Sequence, residues 1–212
     1  MYVPAQFRED DVPTLHTLIR EHSLATLVTL GAGGLVANHI PMEIDAAPLP
    51  YGTLRGHVAR ANPVWHSFTS DVHALAIFVG PETYITPSWY QTKRETGKVV
   101  PTWNYAVVHA YGPLGIVEDR TWLRDLVERL TRTHEAGREP MWAVTDAPAD
   151  FIEKQLGGIV GIEIPVARLE GKWKVSQNRE PADRVGVVSG LRATADEASH
   201  GMANLVENTL DP

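Results

Sequence analysis

The sequence contains no cysteine among its 212 residues. This absence excludes disulfide bonds, thiolate nucleophiles, zinc–thiolate sites and iron–sulfur clusters. Any redox chemistry of this protein must therefore reside in a bound cofactor.

Long hydrophobic runs are also missing. No apolar stretch approaches the roughly 20 residues that cross a bilayer, and the opening Met1-Tyr2-Val3-Pro4 lacks the basic region and apolar stretch of a secretory signal. The content of 43% hydrophobic and 21% charged residues is that of a globular protein. We therefore expect a soluble, cytoplasmic protein without a membrane partner.

Positive charge is scarce, with 19 Lys and Arg residues against 26 Asp and Glu, a net charge of −7. This balance disfavours a surface that coats nucleic acid, because such binding depends on neutralising phosphates.

Familiar metal and hydrolase motifs are absent as well. The nine histidines are scattered without an H-E-x-x-H spacing, and neither a G-x-S-x-G motif nor a P-loop occurs. Gly31 and Gly33 do not begin a G-x-G-x-x-G motif and no helical pattern follows them, so a hairpin turn is favoured over a dinucleotide loop. We expect no metal site.

The hydrophobic periodicity predicts a mainly β, α+β protein. Helices are predicted near residues 12–19, 121–135, 148–156, 183–191 and 196–210, and strands near 23–30, 35–44, 53–59, 73–79, 82–86, 107–118, 159–164 and 166–175. Gly80-Pro81 is expected to interrupt the fourth strand. Because the strands come in hairpins and not in βαβ units, the pattern favours an antiparallel barrel with peripheral helices.

Aromatic residues concentrate in one segment. Residues 84–111 contain six of them, interleaved with proline and polar residues: Tyr84, Trp89, Tyr90, Trp103, Tyr105 and Tyr111. Such a mixture is typical of a ligand pocket for a flat heterocycle or of a dimer interface. Rings that close the ends of a barrel explain it equally well.

The segment 91–98, which carries Lys93, Arg94 and Lys98, lies between these aromatic groups. Two interpretations remain open: a mobile lid over an anion, or a solvated loop.

A candidate anion site follows the third predicted strand. His57 and Arg60 end that strand, and Asn62-Pro63 is a favourable start for a short helix. Backbone N–H groups at a helix start beside a guanidinium suit a phosphate. An ordinary helix cap with Arg60 in solvent is the alternative.

Seven segments together resemble the PaiB-type FMN-binding negative transcriptional regulators. They are Met1-Tyr2-Val3-Pro4 with Phe7, Asn38-His39-Ile40-Pro41, the run from Gly56 to Pro63, Pro87-Ser88-Trp89-Tyr90, the run from Pro101 to Tyr105, the run from Gly158 to Ile164, and Lys174-Val175-Ser176-Gln177-Asn178-Arg179. The segments occur in the family's order and span residues 1–192.

This resemblance implies an antiparallel split β-barrel of the FMN-binding type over residues 1–192, with 193–212 as a C-terminal helical extension to which we attach no role. It also implies a homodimer that holds FMN between its subunits. The residues that it places at the flavin are Asn38, His39, Ile40, Pro41, His57, Arg60, Asn62, Ser88, Trp89, Thr102, Trp103 and Asn104. The residues from Asn38 to Pro41 would follow the isoalloxazine edge, and His57, Arg60 and Asn62 would lie near the ribityl phosphate. The remaining five would close the pocket, and in one arrangement they belong to the second subunit.

Three functions remain open. The first is a PaiB-type regulator that acts on DNA directly or through a regulatory protein partner, although no helix-turn-helix pattern with a basic recognition helix is recognisable. The second is an FMN-dependent oxidoreductase that uses NAD(P)H. The third is a haem-binding protein of the same fold, with His39, His57 or His109 as the first candidates for the axial ligand.

Overall fold

The computed structural model describes residues 1–210, which form nine strands and six α-helices. The strands are β1 (Arg8–Glu9), β2 (Leu24–Gly31), β3 (Gly34–Asp45), β4 (Thr53–Ala59), β5 (Ala74–Ile85), β6 (Thr102–Gly112), β7 (Gly115–Val117), β8 (Ile159–Pro165) and β9 (Arg168–Lys174). The helices are α1 (Val12–Glu21), α2 (Gln91–Thr96), α3 (Arg120–Glu135), α4 (Ala149–Gly157), α5 (Pro181–Arg192) and α6 (Glu197–Glu207).

The chain divides into two compact units. The first unit comprises residues 1–18, 79–108 and 170–210, and the second unit comprises 19–78 and 109–169. Strands β5, β6 and β9 contribute residues to both units.

The second unit contains the strand order β5-β2-β3-β4-β8-β7. Its central hairpin pairs β2 with β3 antiparallel from Leu24↔Pro41 to Gly31↔Gly34, and Gly34 has a φ of +111° that suits glycine at this tight turn. Strand β4 pairs antiparallel with β8 along its whole length. Helices α3 and α4 bury Leu123, Ile152 and Leu156 in one hydrophobic cluster.

The first unit contains the strand order β1-β9-β6-β5. Its hydrophobic cluster joins the ends of β5 and β9 to helices α5 and α6, through residues that include Ile85, Val175, Val187 and Val206. The described part of the predicted extension, 193–210, therefore includes a helix that shares this core, whereas residues 211 and 212 lie outside the described residues. The proposed boundary at residue 192 stays a prediction.

The structure confirms a mainly antiparallel sheet with helices. Strand β4 covers the same residues as predicted, and Asp11 caps α1 by accepting hydrogen bonds from the N–H and hydroxyl of Thr14 at 3.0 and 2.7 Å. Since the strand order ends at β1 and at β7, closure into a split barrel stays a prediction.

Two local predictions were wrong. The segment 91–98, for which a solvated loop was one interpretation, forms helix α2, which Gly97 ends in the left-handed conformation while donating its N–H to Lys93 O at 3.1 Å. The alternative interpretation as a lid stays a prediction. Strand β5 also continues through Gly80-Pro81 without a break. Glycine allows close packing there, because a Cβ would lie 2.8 Å from Cδ1 of Leu18 and 3.3 Å from Ala106 O.

Candidate functional site

A relay of two asparagines connects strand β3 to the turn after β4 in the second unit. The N–H of Val64 donates to Asn62 Oδ1 at 3.0 Å, and Asn62 Nδ2 donates to Asn38 Oδ1 at 2.8 Å. These bonds fix the orientation of both amides. The buried Nδ2 of Asn38 is left without a hydrogen-bond partner among residues 1–210. The relay thus ends in an unused donor.

Strand β3 has an open edge beside this donor. It pairs with β2 from Gly34 to Pro41, but it pairs with β4 only from Met42 to Asp45. The second edge of residues 34–41 therefore has no strand partner in the described chain. Backbone groups at such an edge are available to a ligand with polar atoms along one side.

The three neighbours of Asn38 in the predicted segment face different surroundings. Ile40 is buried, whereas His39 and Pro41 are exposed. Nδ1 of His39 lies 3.2 Å from the hydroxyl oxygen of Thr26 on the paired strand. The segment therefore anchors itself in the core through Ile40 and presents His39 at the surface.

His57 lies on β4 opposite Gly161 of β8. Its side chain is half-buried, and its buried Nδ1 has no hydrogen-bond partner among the described residues. Burial lowers the pKa of the imidazole below its ordinary value of 6.5. Burial thus favours the neutral ring, which offers one donor and one acceptor nitrogen.

The guanidinium of Arg60 already has three partners within the second unit. Nε donates to Gly157 O at 3.1 Å, Nη2 donates to Ile159 O at 3.2 Å, and Nη1 pairs with Glu118 at 2.6 Å. The side chain is 40% exposed, so N–H groups remain for a further acceptor. Arg60 thus joins the end of β4 to the start of β8, and a phosphate there would share it with Glu118.

The helix predicted after Asn62 is a single 3₁₀ turn, Pro63–Trp65. Asn62 caps it as expected. Three residues are too few for a helix dipole that attracts anions, because the dipole sums over aligned peptide units. The side chains are therefore the stronger candidates for the anion site, which stays a prediction.

The five other predicted site residues belong to the first unit, in two places. Ser88 and Trp89 lie in a 3₁₀ turn after β5, where the exposed hydroxyl of Ser88 accepts a hydrogen bond from Lys93 Nζ at 3.1 Å. Trp89 is half-buried against α5, where a Cβ on Gly190 would lie 2.3 Å from its ring. This packing accounts for the burial of Trp89.

Thr102, Trp103 and Asn104 begin strand β6. Trp103 is 54% exposed and meets the ring of Tyr84 edge to face at 6.2 Å. Asn104 is buried and donates to the hydroxyl of Ser176 at 2.9 Å, while its Oδ1 has no partner within residues 1–210. The exposed aromatic pair is a second candidate ligand surface, and the orphaned Asn104 acceptor lies on the opposite, buried face of the strand.

Lys174 is a site candidate to which the sequence analysis assigned no role. Its Nζ donates to Thr102 Oγ1 and to the carbonyl of Trp103, both in the predicted pocket segment. Burial lowers the pKa of this amine, and the nearby cations Lys172 and Arg179 lower it further. The sequence feature that could have identified Lys174 is its spacing from Lys172, because residues two apart in a strand lie on one face.

No group of histidine, aspartate and glutamate in the described chain is arranged to hold a metal ion. Among the same residues, no helix combines the length and apolar character that a membrane span requires. The cytoplasmic location stays a prediction.

Comparison with known proteins identifies the family. Residues 1–168 match the family described as "Putative FMN-binding domain". The chain belongs to this FMN-binding domain family. FMN is the cofactor that the family assignment supports, as predicted.

Two curated relatives extend the family assignment over the whole chain. Protease synthase and sporulation protein PAI 2 of Bacillus subtilis is 31% identical, with 99% of this chain and 98% of the relative covered. An uncharacterized protein of Emericella nidulans, AN0679, is 36% identical over 97% of this chain and 96% of its own length. The resemblance to PaiB-type proteins is thereby confirmed.

The fold of the FMN-binding domain family also occurs in more distant proteins. The FAD and haem binding protein of Mycobacterium smegmatis has a TM-score of 0.57 with this chain at 14% identity. The similarity covers 79% of this chain and 73% of that one. At this identity the match concerns the fold alone.

The residues of each unit are compatible with a flavin. The second unit supplies the unused Asn38 donor, the open edge of β3 and the neutral His57. The first unit supplies exposed rings and the orphaned Asn104 acceptor. Flat rings edged with polar atoms require both kinds of surface, apolar faces and a few directed polar groups.

Proposed function

We propose that this chain is a PaiB-type FMN-binding protein that works as a homodimer. In this proposal the Asn38–Pro41 segment, His57, Arg60 and Asn62 of one subunit hold the flavin. Ser88, Trp89 and the Thr102–Asn104 segment of the second subunit close the pocket. A split barrel is the proposed form of the sheet.

The observation that carries the proposal is the asparagine relay. Asn62 orients Asn38 so that its Nδ2 is an unused donor beside an open strand edge. A buried donor left without a partner costs about 1–3 kcal/mol, so a ligand that accepts from it gains that amount on binding. The isoalloxazine ring has carbonyl and nitrogen acceptors along one edge, which are of the required kind.

Each of the remaining residues would contribute a distinct interaction. His57, held neutral by burial, would offer a hydrogen bond without placing a positive charge near the ring. Arg60 would add a charge-assisted bond to the phosphate, in competition with Glu118. Trp103 would cover a flavin face with its exposed ring. When bound, FMN supplies hydride and electron transfer through the isoalloxazine.

Absorbance of the purified chain tests the flavin part of the proposal. We expect a flavin spectrum and release of FMN on denaturation. Asn38→Ala should weaken FMN binding about tenfold, because one directed hydrogen bond is lost. Asn208→Ala, a change at an exposed asparagine, is the matched control. A Soret band, or equal FMN affinity in both variants, would contradict the proposal.

We further propose that the protein acts on gene expression, directly or through a partner. The support is its full-length similarity to the sporulation protein of Bacillus subtilis. Retardation of promoter DNA by the FMN-loaded dimer at physiological salt is the expected result for direct action. Bleaching of the flavin by NADH or NADPH under anaerobic conditions, without DNA retardation, would instead identify an oxidoreductase.

A further inference from the structure

Three cations of the first unit occur at the end of strand β9 and in the turn that follows it. Lys172 and Lys174 alternate on the strand and share one face, and their Nζ atoms lie 5.1 and 6.0 Å from the ring centre of Tyr105. Arg179 follows after a short turn, with its guanidinium carbon 4.9 Å from the ring centre of Tyr90. We call Lys172, Lys174 and Arg179 the basic cluster.

The turn that carries Arg179 is held by specific hydrogen bonds. Gln177 Oε1 accepts from the N–H of Val175 at 2.8 Å, and its Nε2 donates to Trp173 O at 2.6 Å. The N–H of Arg179 donates to Ser176 O at 2.8 Å. Ser176 has a φ of +66°, the only positive value at a residue other than glycine within 1–210. Backbone strain of this kind is characteristic of functional sites.

The basic cluster has no carboxylate partner in the described chain. None of its three members forms a salt bridge there, and the charges that act on Lys174 are those of Lys172 and Arg179. Two nearby carboxylates have other partners: Asp183 accepts from the N–H of Thr92 at 2.8 Å, and Glu170 pairs with the N-terminal ammonium at 2.8 Å. On strand β1, Arg8 lies directly opposite Lys172 and adds a further positive charge.

The proximity of these positive charges opposes folding, and the tyrosine rings and the two acceptors of Lys174 offset part of that cost. Like charges that face each other across a sheet repel, and half-buried cations are screened less by salt. Any of the 26 acidic residues of the chain would neutralise part of this positive charge if it paired with the cluster. An anionic ligand that occupies the cluster would remove this repulsion.

We propose that the basic cluster binds the phosphate group of a ligand. A phosphate monoester carries close to two negative charges and has three acceptor oxygens, which suits two ammonium groups and one forked guanidinium. The proposal extends the proposed flavin function, since Lys174 also contacts Thr102 and Trp103. The phosphate belongs either to a second ligand, or to FMN itself at the cluster in place of Arg60, and the experiment separates these sources.

The test is a calorimetric titration of the full chain with inorganic pyrophosphate at low salt, with and without saturating FMN. The double variant Lys172→Gln Arg179→Gln should bind pyrophosphate about tenfold more weakly or worse, because charge-assisted hydrogen bonds are lost. The matched control is Arg94→Gln Lys98→Gln, which removes the same charge from exposed positions on or next to α2. Thermal melting establishes that both variants fold, and Arg179→Lys, which keeps the charge, should lose less affinity.

Pyrophosphate that binds beside saturating FMN indicates a second phosphorylated ligand. If FMN excludes pyrophosphate, and the double variant loses affinity for FMN but not for riboflavin, the phosphate is that of FMN. The proposal is overturned if wild-type protein binds no pyrophosphate in either state while the double variant binds FMN normally, or if the control loses as much affinity as the double variant. A chain that binds pyrophosphate at the cluster but no flavin would refute only the proposed function.

Discussion

Arg60 illustrates how one side chain serves structure and ligand binding together. Its guanidinium connects β4 to the carbonyls that precede and begin β8, and it pairs with Glu118 at the surface. A bound phosphate would accept hydrogen bonds from the guanidinium N–H groups that these partners do not use. Removal of the side chain should therefore lower both the stability of the chain and its affinity for a ligand with a phosphate.

We expect Arg60→Ala to lower the free energy of unfolding by about 1–2 kcal/mol, because two carbonyl acceptors lose their donor. Its affinity for FMN should fall more than its affinity for riboflavin, which lacks the phosphate. Fluorescence titrations with the two flavins measure this difference. Arg120→Ala, which removes a more exposed guanidinium from the same unit, is the control. Equal losses for both flavins would remove Arg60 from the phosphate site.

His57 predicts a pH dependence of stability. Burial lowers its folded-state pKa from the ordinary 6.5. As the pH falls, the unfolded chain therefore binds a proton at His57 before the folded chain does. The contribution of His57 to stability is therefore present above pH 6.5 and is lost as the pH falls through the folded-state pKa. Urea unfolding at pH 7.5 and at pH 5.5 should show a smaller decrease for His57→Gln than for the wild type.

The exposed His73 provides the control for that comparison. His73→Gln should leave the decrease between the two pH values as it is in the wild type. If the His57→Gln and wild-type proteins lost the same stability on acidification, burial of His57 would not be the cause.

At the scale of elements, α5 shows why two helical glycines occur in a packed core. Gly186 and Gly190 are four residues apart and therefore lie on one helix face. A Cβ on Gly186 would lie 2.0 Å from the carbonyl oxygen of Trp89, and one on Gly190 would lie 2.3 Å from the nearest atom of its ring. The glycines allow the 3₁₀ turn that carries Ser88 and Trp89 to approach the helix.

Gly186→Ala should consequently destabilise the chain by about 1–3 kcal/mol, because a backbone carbonyl must move to admit the methyl group. In an open helix the same change would stabilise by up to about 1 kcal/mol. Gly201→Ala on α6, where the nearest atom is Cγ of Pro81 at 3.3 Å, is the control. Urea denaturation compares the two, and an unchanged or higher midpoint for Gly186→Ala would contradict this packing.

At the scale of the whole molecule, the proposed flavin pocket requires a second copy of the chain. Light scattering during gel filtration should give twice the 23.4 kDa of one chain. Trp103→Ala should leave the protein folded, because the ring is 54% exposed, and should weaken FMN binding. A monomer that retains FMN would contradict the dimeric site.

Much of the fold could be predicted from the sequence because its causes are local. The hairpin of β2 and β3 follows from β-rich runs joined by glycines, and α3 follows from apolar residues at helical spacing after the Asp119 cap. Helix α2 was missed because its six residues are short and carry no apolar stripe. Hydrophobic periodicity does not identify so short a helix.

The sequence by itself determined a thiol-free chain, a mainly antiparallel architecture and, through its motifs, the FMN-binding domain family. Only the tertiary structure decided which polar atoms are satisfied. Arg60 donates a hydrogen bond to Ile159 O, 99 residues away in the sequence, and Asn104 donates one to Ser176, 72 residues away. Spacing along the chain carries no information about such partners, because burial and hydrogen bonding between distant residues arise only when the strands have assembled.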